Sequence, residues 1–568
     1  MRHDGRGLRL AVLAVVILGF VAPIFLGLWE TVRAAVGVLP AIGARSPSLD
    51  PWRQLLALPG FATSVRLTLV TGFASTALAL VLATGFSAAV QGRIGPHGGA
   101  RMLAPFLAAP QAAMAIGLAF LISPSGWFAR LLSPWATGWD RPPDLATVND
   151  GWGAALILGL LIKEVPFLLL VILSALGQLP VRQHLAVGRA LGYARGIIWI
   201  KVIMPQVYPL IRLPLFIVLA FALSVVDVAI ILGPSNPPTL AVAVTRWYSA
   251  ADVGLILPAS AGALLQAAIV VAGILIWWCG ERIAVRIGRW WVRRGERGRS
   301  AEPGLWALSA LVMALMVLGA LALAGLVVWS LAWRWTFPDA LPESWSAGAW
   351  LAPSGGWGRA LANTLVLGLA TTAVSLSLAI AWLDAEDRAR SARARWATAL
   401  IYLPLLVPQI GFLYGLNVVF LRAGFSGGLV AVAWAQMLFV FPYVMIALSN
   451  PWKALDPRLT NTAAALGASP LRQLLAVKVP ILTGPLLTAG AIGVSVSVAQ
   501  YLPTLFMGAG RVATLTTEAV TLSSGSDRRV VGVYAVLLSA LPFIAYAAAI
   551  VLPAIIHRGR RGLADDFR

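Results

Sequence analysis

Apolar residues in this chain fall in blocks long enough to cross a lipid bilayer, and that spacing leaves few folds open. A helix needs roughly 20 consecutive, mostly apolar residues to cross the hydrocarbon layer, where its backbone must satisfy its own hydrogen bonds. About twelve stretches qualify. Six lie near Leu10 to Trp29, Val65 to Val90, Met102 to Ile122, Trp152 to Leu173, Val207 to Leu232 and Leu257 to Trp278. Six more lie near Leu305 to Leu331, Leu361 to Leu383, Trp396 to Leu421, Gly428 to Leu448, Ile481 to Phe506 and Val530 to Ile556. With 59% hydrophobic and 11% charged residues and a mean hydropathy of +0.85, the chain cannot carry the wet surface of a soluble domain. The expected fold class is all-α integral membrane.

A net charge of +21 would suggest nucleic-acid binding in a soluble protein, so the position of the charges has to decide. With a cytoplasmic N-terminus, inside segments hold 28 of the 43 Lys and Arg and outside segments 12, leaving Arg66, Lys163 and Arg212 in or at the edge of helices. The positive-inside rule then places both termini in the cytoplasm, and no nucleic-acid partner is expected. Arg2, Arg6 and Arg9 precede the first stretch, as in a signal peptide, but about 20 apolar residues favour a retained span. The one cysteine, Cys279, excludes an intrachain disulfide. Four scattered histidines, His3, His97, His184 and His557, offer no metal site.

The chain repeats itself at three places. Thr68-Leu69-Val70 through Thr76-Ala77 matches Thr364-Leu365-Val366 through Thr372-Ala373. Pro110-Gln111, five residues and Gly117-Leu118 match Pro408-Gln409, five residues and Gly415-Leu416. Between the fourth and fifth stretches of each half, Arg189-Ala190-Leu191-Gly192 matches Ala464-Ala465-Leu466-Gly467. Six spans per unit is an even number, so two parallel six-helix repeats are expected, both presenting this third segment to the cytoplasm.

In the second copy Leu459, Ala463 and Leu466 form one apolar stripe, Gly467 can end the helix in the left-handed region, and Ser469-Pro470 can start the next. The expected element is a helix-turn-helix outside the membrane. Proline follows each glycine at thirteen residues, as Pro205 and Pro480. Six residues before each glycine begin Ala186-Val187-Gly188 and Asn461-Thr462-Ala463, and Val202 and Val477 stand ten residues after it.

In this spacing the chain resembles the permease subunits of binding-protein-dependent ABC importers, whose cytoplasmic signature reads E-A-A, three residues, G, nine residues, I, one residue, L-P. The signature's glutamate is absent from both copies. The resemblance covers nearly the whole chain, with two halves fused as in ferric-iron and thiamine importer permeases. Ser224-Val225-Val226-Asp227 through Gly233-Pro234 and Val498-Ala499-Gln500-Tyr501-Leu502-Pro503 look like a less characterised branch. It implies a type I importer permease with one repeat at 1–280 (coupling loop about 180–206), a basic linker at 281–304, and a second repeat at 305–568 (coupling loop about 450–481). Coupling to an ATPase would run through Ala186, Gly188, Gly192 and Pro205, and through Asn461, Ala463, Gly467 and Pro480. The implied partners are an ABC ATPase homodimer in the cytoplasm and an extracytoplasmic solute-binding protein. The implied location is the bacterial inner membrane.

None of the four lysines, Lys163, Lys201, Lys453 and Lys478, follows a glycine, so no phosphate-binding loop is expected here. A transport subunit without enzyme activity or cofactor follows, with ATP used by its partner. Intramembrane polar groups usually face a cavity or another helix, which makes Asp227, Gln500, Gln111 and Gln409 pathway candidates and Asn417 and Gln436 weaker ones. Asp227 and Gln500 would be repeat partners, and Lys163 and Glu164 would neutralise one another. Loops Gly233 to Asp252 and Gly508 to Arg529 would receive the binding protein. Two other readings stay open: an ion-coupled transporter of six plus six helices, and a membrane scaffold that moves nothing.

Overall fold

The computed structural model describes residues 11–90, 103–295, 297, 301–351, 356–389, 395–425, 427–525 and 527–556. Arg2, Arg6, Arg9, His97, residues 298–300 of the basic linker and the tail from His557 lie outside the described residues. The first half supplies α1 (Ala11–Ala35), α2 (Phe61–Val90), α3 (Gln111–Ile122), α4 (Ala154–Leu176), α5 (Val181–Ala190), α6 (Met204–Ser224), α7 (Asp227–Leu232), α8 (Leu240–Tyr248) and α9 (Ile256–Arg293). The second supplies α10 (Ala301–Leu331), α11 (Trp357–Ala389), α12 (Arg395–Leu406), α13 (Gln409–Arg422), α14 (Leu429–Ala454), α15 (Pro457–Ala465), α16 (Thr483–Val498), α17 (Leu502–Gly508), α18 (Leu515–Leu522) and α19 (Arg528–Ile556). A short antiparallel ribbon, β1 (Ala332–Arg334) with β2 (Ser344–Trp345), follows α10.

Among the described residues ten helices are long and apolar enough to cross a membrane, or up to twelve if each of two bent pairs is one span. One bent pair is α12 with α13, at 110°. Four stretches that read as continuous are in fact interrupted. Pro110 and Pro408 break the third and ninth, because proline has no N–H and bars its predecessor from the helical region. The fifth and eleventh break after Ser224 and after Val498 with no proline at the break. Side chains from elsewhere hold these two ends open. Gln266 Nε2 donates to the Leu223 carbonyl at 2.8 Å, and Thr516 Oγ1 donates to the Val498 carbonyl. Both donors are fully buried, so each freed carbonyl keeps a partner where water is excluded.

Contacts divide the chain into two compact units that are not its consecutive halves. One holds Met1–Thr31, Pro353–Thr521 and Leu537–Arg568; the other holds Val32–Ala352 and Leu522–Val536. Each unit thus takes the first helix of one half and the later helices of the other. The repeated glycines explain how. In the first unit Gly415 of α13 lies against the Gly27 carbonyl of α1, and a Cβ on either glycine would collide with the opposite backbone. Glu30 and Arg422 close the same crossing with an ion pair at 2.7 Å. In the second unit Gly117 of α3 lies against the Ala322 carbonyl of α10. Small residues allow such close approach of membrane helices.

Lys163 and Glu164 do not neutralise one another. Neighbours on a helix point about 100° apart, and the two side chains leave α4 in different directions. Lys163 Nζ donates to the carbonyls of Phe106 and Leu107, each at 2.8 Å, and to that of Ala109. These carbonyls are the orphans left where Pro110 interrupts the third stretch, so the ammonium caps a broken helix end. Glu164 is buried beside Ser75 of α2.

Candidate functional site

The two segments singled out by repetition fold as the same hairpin. α5 and α15 each end at a glycine with φ +81°, Gly192 and Gly467. The hydrogen bonds coincide: Gly192 N–H reaches the Arg189 carbonyl and Tyr193 N–H that of Gly188, while Gly467 N–H reaches Ala464 and Ala468 N–H reaches Ala463. This is the paired closure that caps a helix through a left-handed residue. In the second copy Asp456 caps the start of α15 and Ser469 caps the restart, each accepting a backbone N–H. After the turn both chains pass through one π-helical stretch, Trp199–Ile203 and Leu474–Lys478, before the helix containing Pro205 or Pro480. Glycines, π-stretches and prolines all repeat at one constant spacing. The π-stretches have no simple sequence signal and were not foreseen.

Among polar neighbours, each hairpin presents apolar side chains at matching points. Leu191 and Leu466, each just before the turning glycine, are 59% and 83% exposed, and Ile200 and Leu475 in the π-stretches are also exposed. Of the eight residues expected to couple, Ala186, Gly188 and Gly192 lie on the first hairpin and Asn461, Ala463 and Gly467 on the second. Ala186 and Asn461 are exposed, Ala463 is half-buried, and Gly188 packs on Ile198. Pro205 and Pro480 sit at the start of the returning helices.

The copies differ in their support. α9, expected to end near Trp278, runs on to Arg293, which at 38 residues is about 57 Å and well past the hydrocarbon thickness. It is held by Glu281, which accepts from Tyr208 at 2.7 Å and pairs with Arg212 at 3.0 Å. Lys201 stacks on Trp291, and the Ala194 N–H donates to the Arg297 carbonyl at 3.1 Å. The described part of the linker therefore braces the first turn, rather than serving as a solvated connector. That bracing stands where the second turn has its Ser-Pro restart.

The four pathway candidates all lie at helix interruptions. Gln111 and Gln409 are the first residues after the Pro110 and Pro408 breaks, both half-buried. Asp227 opens α7, and Gln500 lies buried between α16 and α17. The expected pairing of Asp227 with Gln500 does not hold. At the spacing of the hairpins, α7 matches α17, which pairs Asp227 with Leu502 and Gln500 with Val225. Matching the two polar residues to each other slips the repeat by two residues. Gln436 is taken up structurally: it donates to Thr504 at 3.0 Å and accepts from Ser497 at 2.6 Å.

The segments expected as open docking loops contain α8 and α18, which are largely buried. Each is pinned at its first residue, where the Leu240 N–H donates to Thr68 Oγ1 and the Leu515 N–H to Thr364 Oγ1, both at 2.9 Å. Two sequence repeats meet in that bond. Buried Leu240 and Leu515 cannot receive a partner protein.

No protein-family model matches the chain. It is 32% identical over 553 residues to the inner membrane ABC transporter permease protein YnjC of Escherichia coli (strain K12), covering 95% of this chain and 98% of that relative. Identity sustained over both halves, on an all-helical membrane scaffold, is what common descent of the whole architecture requires. The chain belongs to the ABC transporter permeases of the inner membrane.

Proposed function

We propose that the chain is the membrane subunit of an ATP-driven importer, in which two cytoplasmic hairpins receive the motion of a separate ATPase homodimer. The observation that carries this reading is the duplicated turn, with the same glycine conformation and the same exposed leucine in each copy. A leucine standing in water at an identical point of two hairpins is unfavourable unless a partner covers it, since burying one contributes about 1.5–3 kcal/mol. Both termini lie in the cytoplasm in this reading. A solute released by an external binding protein passes where the membrane helices are interrupted, near Asp227, Gln500, Gln111 and Gln409, and hydrolysis takes place wholly in the partner. The likeness to ferric-iron and thiamine importer permeases suggests a small polar solute.

Leu191→Asp and Leu466→Asp test it. Each is expected to reduce, on the order of tenfold, the ATPase subunit that co-purifies with the chain from its native membrane, while leaving the amount of folded chain unchanged. Full retention of an ATPase by both variants would count against the hairpins as its seat. Failure of the unaltered chain to hold any ATPase would count against the importer.

A further inference from the structure

Beneath the second hairpin lies a cluster of charges that the coupling turn itself does not use. Asp384, Asp387 and Arg388 occupy the last turns of α11, Trp452 the last turn of α14, and Lys478 the end of the π-stretch. The hairpin leaves α14 just after Trp452 and returns at Lys478, so these two residues are its stems. One carboxylate oxygen joins them. Asp387 Oδ2 accepts from Lys478 Nζ at 2.8 Å and from Trp452 Nε1 at 2.8 Å. Lys478 also pairs with Asp384 at 2.9 Å, and Asp384 is held from its other side by Arg388. Lys478 and Asp384 are buried, with side chains 7% and 5% exposed, whereas Asp387 is half-exposed. The Lys478 ammonium lies 5.2 Å from the Trp452 ring centre.

Burying a lysine and an aspartate costs more than packing apolar side chains in the same place, so such a pair is weak as a stabiliser and useful where a single arrangement must be held. The first half shows the apolar alternative. The residues matching Trp452, Lys478 and Asp384 there are Gly177, Ile203 and Ala88. Ile203 and Ala88 are buried, and no charge joins the stems at these positions.

We propose that Asp387 is a positioning residue that clamps both stems of the second hairpin to α11, so that displacement of this hairpin moves α11 with it as a rigid lever. Among the described residues of the first half no charged group stands at the matching positions, and the match of Asp387 itself, Gln91, lies outside them. In the described residues the first hairpin is braced from α9, and the second is joined through a shared carboxylate. This rests on the coupling reading above.

Amide hydrogen exchange of the full chain in lipid nanodiscs, without any ATPase, tests the clamp by itself. Asp387→Ala is expected to speed exchange across residues 455–477 by about tenfold or more, because the stems lose their common partner. Asp387→Asn retains an acceptor oxygen and should stay within about twofold of the unaltered chain. Trp452→Phe removes the indole donor together with part of the ring's bulk, and should loosen the same segment. Should Asp387→Ala fail to fold, Trp452→Phe decides, and unchanged exchange there overturns the clamp.

In the complex with the co-purifying ATPase, adding ATP should alter exchange in the last turns of α11 in the unaltered chain. In Asp387→Ala the hairpin should respond while those turns do not. An equal α11 response in both would overturn the lever. A chain that binds no ATPase yet shows the loosened hairpin would sink the coupling reading and leave the clamp standing.

Discussion

Gly415→Leu is expected to prevent the chain from accumulating as a folded, monodisperse membrane protein. α1 crosses α13 so closely that the α-carbon hydrogen of Gly415 faces the Gly27 carbonyl, with Thr31 alongside. An isobutyl group there cannot be housed by side-chain rotation, because the obstacle is backbone. Separation of the two helices would also strain the Glu30–Arg422 pair and the bond from Trp434 Nε1 to the Gly19 carbonyl at 2.8 Å. The expected cost exceeds about 4 kcal/mol, because overpacking against backbone and loss of the polar contacts at the crossing act together. Gly368→Ala, in a helix whose nearest atom would be 3.8 Å from the added methyl, should be tolerated. Yield and size-exclusion profiles of the two variants check the contrast, and a well-folded Gly415→Leu protein would contradict the crossing.

Lys163→Met should be the other severe change. Three carbonyls at the broken third stretch lose their common donor, and no water is at hand in hydrocarbon to replace it. An unsatisfied buried polar group costs about 1–3 kcal/mol, so the loss of the ammonium is expected to cost about 3–5 kcal/mol in all. The thermal unfolding midpoint of the purified chain in detergent should fall accordingly, more than for Lys201→Met, whose half-buried ammonium stacks on the Trp291 ring rather than capping a helix end. An unchanged midpoint would mean that the helix end finds its partners elsewhere.

Much of the scaffold and of the hairpins was legible in residue order because local rules govern them. Blocks of apolar residues locate membrane helices, and a glycine followed by Ser-Pro marks the turn at Gly467. What was not legible depends on residues distant in sequence. The exchange of first helices between units has no local signal, although Gly117 and Gly415 were visible as repeats without a stated reason. The breaks after Ser224 and Val498 depend on Gln266 and Thr516, which reach them from other helices. Lys163 looked like the natural partner of Glu164 because they adjoin in sequence, whereas helical geometry separates adjacent side chains. Lys478 stood out only as a lysine that was not part of a phosphate loop. The meaning of Asp387 needed three helix ends to be brought together.

If one ATPase dimer drives both hairpins, as proposed above, the two must be reached from the same aqueous side. Replacing the exposed Cys279 by serine gives a background in which Leu191→Cys and Leu466→Cys can be labelled one at a time with a membrane-impermeant maleimide. Both cysteines should react in inverted membrane vesicles and neither in intact cells with a permeabilised outer membrane. Reaction of one from each side of the bilayer would rule out a shared ATPase seat.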